Sequence, residues 1–175
     1  MERGSPEAIY QLLRDWKIPF RSIEHPEAAT MEDCQAVGRQ LGAPFCKNLF
    51  LANRQQTEFF LLLIGEDKKF RTAEVSKKIG RSRLSFGNED KLWQALGARP
   101  GSISPMGLVF DREREIHLIV DQDVARLQEF CVHPCLNTQS LALRWQDFEQ
   151  IFLQHTGHQP QFIEIDGELP PENAQ

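Results

Sequence analysis

Apolar side chains recur at helical spacing near the start of the chain and at strand spacing further on. Ile9, Leu12, Leu13 and Trp16 fall at i, i+3, i+4 and i+7 behind Ser5 and Pro6, which predicts a capped amphipathic helix. "PFRSIEH" reads as a short strand. Thr30 with Asp33 makes a capping box that opens a helix closed by Gly42. "KNLFLAN" and "TEFFLLLI" are strands joined by the polar "NRQQ", a hairpin. "RTAEVSKKIG" is a helix closed by Gly80, and "RLSF" is a short strand. Asn88 caps the helix "EDKLWQALG". "GLVFD" and "EIHLIVD" flank a charged turn and predict a second hairpin. "SLALRW" is a strand, "WQDFEQIFLQHTG" an amphipathic helix and "PQFIEID" a last strand. Intermixed helices and hairpins predict one mixed α/β (α+β) domain over residues 1–165, not a doubly wound parallel fold. The Pro- and Glu-bearing tail, 166–175, is expected to be disordered.

Composition narrows the function classes. A chain of 175 residues can bury a substantial core, and 41% hydrophobic with 26% charged residues is ordinary for a globular domain. No apolar run approaches the ~20 residues of a membrane span. "MERGSPEAIY" has no apolar signal core. The expectation is a cytoplasmic protein with no membrane partner, its four cysteines reduced. A net charge of −5 argues against a generic nucleic-acid binder, and no DNA partner is expected. The charge is uneven, however. Lys68, Lys69, Arg71, Lys77, Lys78, Arg81 and Arg83 surround a single acidic residue, Glu74. Such a run is either a solvated helix face or a patch for a phosphate backbone.

"CVHPCLNT" places Cys131, His133 and Cys135 within five residues. A structural zinc wants four ligands in two close pairs, and Cys34 and Cys46 do not supply the second pair. A thiol nucleophile needs a base or a positive neighbour. His133 can serve either cysteine only if the strand continues, and Pro134 stops it. No dinucleotide or P-loop glycine motif occurs, so no cofactor and no metal are expected.

"KNLFL" (47–51), "GSISPMGL" (101–108) and "HPCLNT" (133–138) occur in an order and at separations that resemble the YbaK / prolyl-tRNA synthetase editing-domain family. "RLSF" before a helix and the "IVDQDV" that ends a strand fit the same pattern. The N-terminal extension looks most like the free-standing, ProXp-ala (PrdX-like) branch. The resemblance implies a compact fold with a curved, partly barrel-like mixed sheet. It implies hydrolysis, without a metal, of the ester between a mischarged amino acid and tRNA, with alanyl-tRNA(Pro) as target. Cysteinyl- or seryl-tRNA, or a non-catalytic module binding aminoacyl-tRNA or a synthetase, are the alternatives. A thiol-dependent hydrolase using Cys131 or Cys135 is another.

The residue types suit such chemistry. A missing methylene is worth only ~1–3 kcal/mol of discrimination, so a small second site that hydrolyses what fits can correct errors that a larger site admits. Gly101 permits close backbone approach, and Pro105 stiffens the loop. Backbone N–H groups around Gly101, Ser102 and Ser104 can hold a developing oxyanion. The resemblance makes Lys47, His133 and Gly101 the catalytic candidates. It makes Asn48, Ser102, Ser104, Pro105, Asn137 and Thr138 the substrate contacts. For tRNA the candidates are Lys68, Lys69, Arg71, Arg81, Arg83 and His25, with the segment from His25 to Cys34 facing the acceptor stem. Prolyl-tRNA synthetase or an elongation factor are the expected protein partners.

Overall fold

The computed structural model describes residues 1–167. Helix α1 (Pro6–Asp15) is capped by Ser5, and α2 (Met31–Leu41) carries the expected capping box and ends at Gly42 in the left-handed region. Strands β1 (Phe20–Glu24), β6 (Glu129–Val132) and β7 (Gln139–Arg144) form an antiparallel sheet in the order β1-β7-β6. Five more strands form the larger sheet, in the order β4-β2-β3-β5-β8. They are β2 (Cys46–Ala52), β3 (Phe59–Gly65), β4 (Ser85–Phe86), β5 (Ile116–Asp121) and β8 (Gln161–Ile163). Helices α3 (Thr72–Lys78), α4 (Glu89–Leu96) and α5 (Gln122–Ala125) pack around them. The sheets meet where Phe45 bridges Cys131 and the Cys131 N–H donates to the Pro44 carbonyl at 2.8 Å. They close no barrel.

Strand β3 explains its unbroken apolar run. Leu61 and Leu63 enter the main core with Phe50, Met106 and Phe130, while Phe60, Leu62 and Ile64 enter a second core with Val75 and Ile79 of the α3 segment. A central strand covered on both faces has no polar side to show. Strand β2 has two faces of different fate. Cys46, Phe50 and Ala52 face the main core; Leu49 and Leu51 face the second.

Two expectations need correction. "GLVFD" is no strand: Pro105–Phe110 is a 3-10 helix. Ser104 Oγ accepts the Met106 N–H at 3.1 Å and Pro105 takes the first helical position. A Cβ on Gly107 would lie 2.3 Å from the Leu96 carbonyl, so this backbone lies flush on the end of α4. Strand β5 therefore pairs in parallel with β3, and the second hairpin is β6–β7. The amphipathic helix starting at Trp145 is also not uniform: α6 (Trp145–Asp147) leads into a π-helical turn, Phe148–Phe152, and then α7 (Leu153–Thr156). At the other end of the chain the Asp166 and Gly167 amides reach Glu74 Oε1, at 2.7 and 3.4 Å. The rest of the tail expected to be disordered, 168–175, lies outside the described residues. Among the described residues no helix is long and apolar enough to cross a membrane.

Candidate active site at the junction of the sheets

A hollow of about 280 Å³ opens where the two sheets meet. Its walls come from four chain segments: residues 28–34, residues 45–49, Gly101 with Ile103, and His133. The three motifs singled out in the sequence thus supply Lys47, Asn48, Gly101 and His133 to one cavity.

His133 follows the last residue of β6 and is 5% exposed. Its Nδ1 lies 3.0 Å from the Gln139 carbonyl and 3.2 Å from Ser140 Oγ. A carbonyl only accepts, so Nδ1 carries the proton and Nε2 keeps its lone pair. Nε2 faces the hollow, where the Cys34 thiol donates to it across 3.7 Å. Beyond Ser140 the network continues. His25 Nδ1 donates to the Pro26 carbonyl at 2.7 Å, which leaves His25 Nε2 to accept the Ser140 hydroxyl at 2.7 Å. Every rotor and tautomer is thereby set. Burial lowers the His133 pKa, the nearby His25 lowers it further, and the bond to Gln139 only partly opposes them. The ring is neutral at pH 7, with an acceptor nitrogen aimed at the hollow.

Gly101 has φ +90, a conformation side chains avoid, and a Cβ there would stand 3.6 Å from Asn137 Nδ2. Asn48 donates from Nδ2 to the Ile103 carbonyl at 3.2 Å and accepts the Cys46 thiol at 3.3 Å, which ties β2 to the glycine loop. Lys47 lines the hollow on the opposite face of β2, and its ammonium donates to the Lys68 carbonyl.

The other candidates stand behind or away from the hollow. Ser102 bonds the Arg99 backbone, and Ser104 caps the 3-10 helix that Pro105 begins. Asn137 donates to Glu27, and the carbonyls of Asn137 and Thr138 accept the Ala28 and His25 amides, which holds the 25–28 segment against the site. In the basic run, Lys68 pairs with Asp121 at 3.0 Å and Asp123 at 2.7 Å, and Arg81 pairs with Glu58 at 2.7 Å. Lys78 contacts Glu74 and Asp166. Arg71 adjoins α3 as its cap residue. Lys69, Lys77 and Arg83 are exposed and enter no ion pair among the described residues.

Cys34, Phe45 and Met31 were missed as wall residues. The one signal was position: Cys34 sits one turn into a capped helix, on the face that the core must cover. The puzzle of "CVHPC" is also resolved. Cys131 donates to the Ala43 carbonyl at 3.2 Å and Cys135 to the Leu96 carbonyl at 3.6 Å. Burial pushes both thiols up to about 12. Neither lines the hollow, so the reading of either as nucleophile fails.

Fold and site define a small α/β domain with a hydrogen-bonded cavity at a sheet junction. The chain belongs to the aminoacyl-tRNA editing domain family, whose model matches residues 25–151. It is an aminoacyl-tRNA hydrolase by family. It is 28% identical to the prolyl-tRNA editing protein ProX of Acetoanaerobium sticklandii, over 86% of this chain and 92% of that one. It is 27% identical to the prolyl-tRNA synthetase associated domain-containing protein 1 of Danio rerio, over 90% of this chain and 86% of that one. A crystal structure of a candidate trans-editing enzyme for prolyl tRNA synthetase superposes with a TM-score of 0.68 at 14% identity, covering 94% of this chain and 99% of that one.

Proposed function

We propose that this chain deacylates mischarged tRNA(Pro) in trans, with alanyl-tRNA(Pro) as its substrate. The observation that carries the reading is the shared hollow that holds Lys47, Asn48, Gly101 and His133 together. About 280 Å³ must take the ester, the α-amino group and the ribose edge as well as the side chain. That leaves room for a small side chain and favours rejection by size.

In this reading the Gly101 loop lies against the ester carbonyl, where backbone N–H groups oppose the charge that develops on its oxygen. His133 Nε2 accepts a hydrogen bond from the substrate, and Lys47 stands on the ribose–phosphate side. The ribose hydroxyl next to the ester orients the attacking water. Water adds to the carbonyl carbon, the C–O bond to the ribose breaks, and the freed ribose oxygen takes the proton. Placement of this kind lowers a barrier by several kcal/mol without a protein nucleophile. Prolyl-tRNA synthetase or an elongation factor is the partner that would hand over the charged tRNA.

The test is deacylation of a panel of alanyl-, cysteinyl-, seryl- and prolyl-tRNA(Pro), with wild type and Lys47→Ala. The alanyl ester is cleaved fastest, the prolyl ester is spared and Lys47→Ala is slow. A substrate without the free vicinal hydroxyl reacts far more slowly. If none of the mischarged esters is cleaved, the chain is a binding module and the reading fails.

A further inference from the structure

Phe86 is 66% exposed, more than any other large apolar side chain among the described residues. Its backbone is nonetheless firmly held. It pairs with Leu51 in β2, its carbonyl accepts Gln56 Nε2 at 3.1 Å, and the next amide, of Gly87, donates to the Phe50 carbonyl at 3.0 Å. A Cβ on Gly87 would lie 2.5 Å from the Phe50 ring, so the backbone after Phe86 packs flush on that ring. The ring leans on Phe70, with centroids 6.1 Å apart. A well-bonded backbone presents Phe86, backed by the half-buried Phe70, to solvent, which costs hydrophobic stabilisation that a turn inward would recover.

The location of this pair gives it a use. Paired residues of antiparallel strands point to the same face. Phe86 therefore shares the face of Leu51, Leu49 and Lys47. Leu49 lines the hollow and packs on the same core as Phe70. As the diagonal neighbour of Leu49, Phe86 stands roughly 7–8 Å away across the strand pair, backbone to backbone. Lys69, beside Phe70, and Arg83, three residues before Phe86, are exposed. Leu49, Phe70 and Phe86 thus lie on the lysine side of β2, and the exposed Lys69 and Arg83 are close to them along the chain.

We propose that the Phe86–Phe70 pair is a base-stacking subsite that takes the terminal adenine of the tRNA, the base attached to the ribose that carries the ester. The inference rests on the deacylase reading and adds a nucleobase contact to it. Stacking on an aromatic ring suits an unpaired 3′ end, is indifferent to the amino acid, and orients the ribose over the hollow.

The experiment compares wild type, Phe86→Ala, Phe86→Leu and Phe86→Trp on alanyl-tRNA(Pro), with melting temperatures as the folding control. Loss of one base stack raises KM about tenfold in the Ala and Leu variants, and the Trp variant stays near wild type. A second readout uses tRNA(Pro) with 2-aminopurine as the terminal base. Its fluorescence is quenched on binding wild type and not on binding Phe86→Ala. If wild type cleaves the ester and Phe86→Ala matches it in KM and in quenching, the subsite is refuted and the deacylase reading stands. If wild type cleaves no ester yet still quenches the probe through Phe86, the deacylase reading is refuted and the subsite stands. If Phe86→Ala changes only self-association in sedimentation, the ring belongs to an interface between copies and the proposal is overturned.

Discussion

Two buried histidines in this molecule differ in what they face. His158 is paired with a carboxylate: its Nε2 lies 2.8 Å from Asp111 Oδ2 and its Nδ1 3.0 Å from Thr156 Oγ1. Asp111 also accepts the Glu115 and Ile116 amides, at 3.0 and 2.9 Å. Burial would raise the Asp111 pKa, but His158 and these amides outweigh it and hold the carboxyl below its ordinary range. Both nitrogens of His158 are engaged, so the ring has no lone pair or proton to offer a ligand. His133 has no carboxylate. Neutral groups fix its Nδ1–H, and Nε2 meets only a soft thiol at the wall of a hollow. A weak sulfur donor is easily exchanged for a water or a ribose hydroxyl. Burial alone does not separate the two histidines; the nature of the second partner does.

The comparison is broken most directly at Asp111. Asp111→Ala leaves His158 buried without its partner and two amides unbonded. It is expected to cost about 3–5 kcal/mol, read from urea unfolding, with kcat/KM per folded molecule unchanged. His133→Asn does the reverse: kcat/KM on alanyl-tRNA(Pro) falls about 100-fold while the urea midpoint barely moves. Equal effects of the two variants on activity would abolish the distinction.

The pH dependence sharpens it. Because burial lowers the His133 pKa, the folded protein binds this proton less readily than the unfolded chain, whose histidine titrates near ~6.5. His133 therefore contributes stability that is present above that value and lost as pH falls below it. Neutral His133 likewise persists below ~6.5, so kcat/KM should hold down to that pH and fall only in more acid solution. An acid limb centred above that value contradicts the assignment. The smallest effect is expected of Ser140→Ala. It removes one acceptor from His133 Nδ1–H and leaves the Gln139 carbonyl, so kcat/KM drops about 2- to 10-fold.

The helices and most strands were legible because their signals are local. Thr30 and Asp33, Asn88, Gly42 and Gly97 announce helix ends within a few residues. "FFLLLI" announces a strand with two covered faces. "GLVFD" misled because its β-like composition is overridden by the Ser104 cap, by Pro105, and by contact of Gly107 with Leu96. The basic run also read differently as a string, since Asp121, Asp123 and Glu58, which face Lys68 and Arg81, come from β5, α5 and the turn before β3.

By itself the sequence determined most of the elements, the helix caps and the three motifs from which Lys47, Asn48, Gly101 and His133 came. Only the tertiary structure decided that Cys34 meets His133 across 99 residues, that Lys47 and Asn48 reach the Lys68 and Ile103 carbonyls, and that Ser104 turns to its own helix instead of the hollow. The reason is physical. Capping and periodicity act over one or two turns of chain, whereas a cavity exists only where two sheets fail to close on each other, and no local pattern records where that gap will fall.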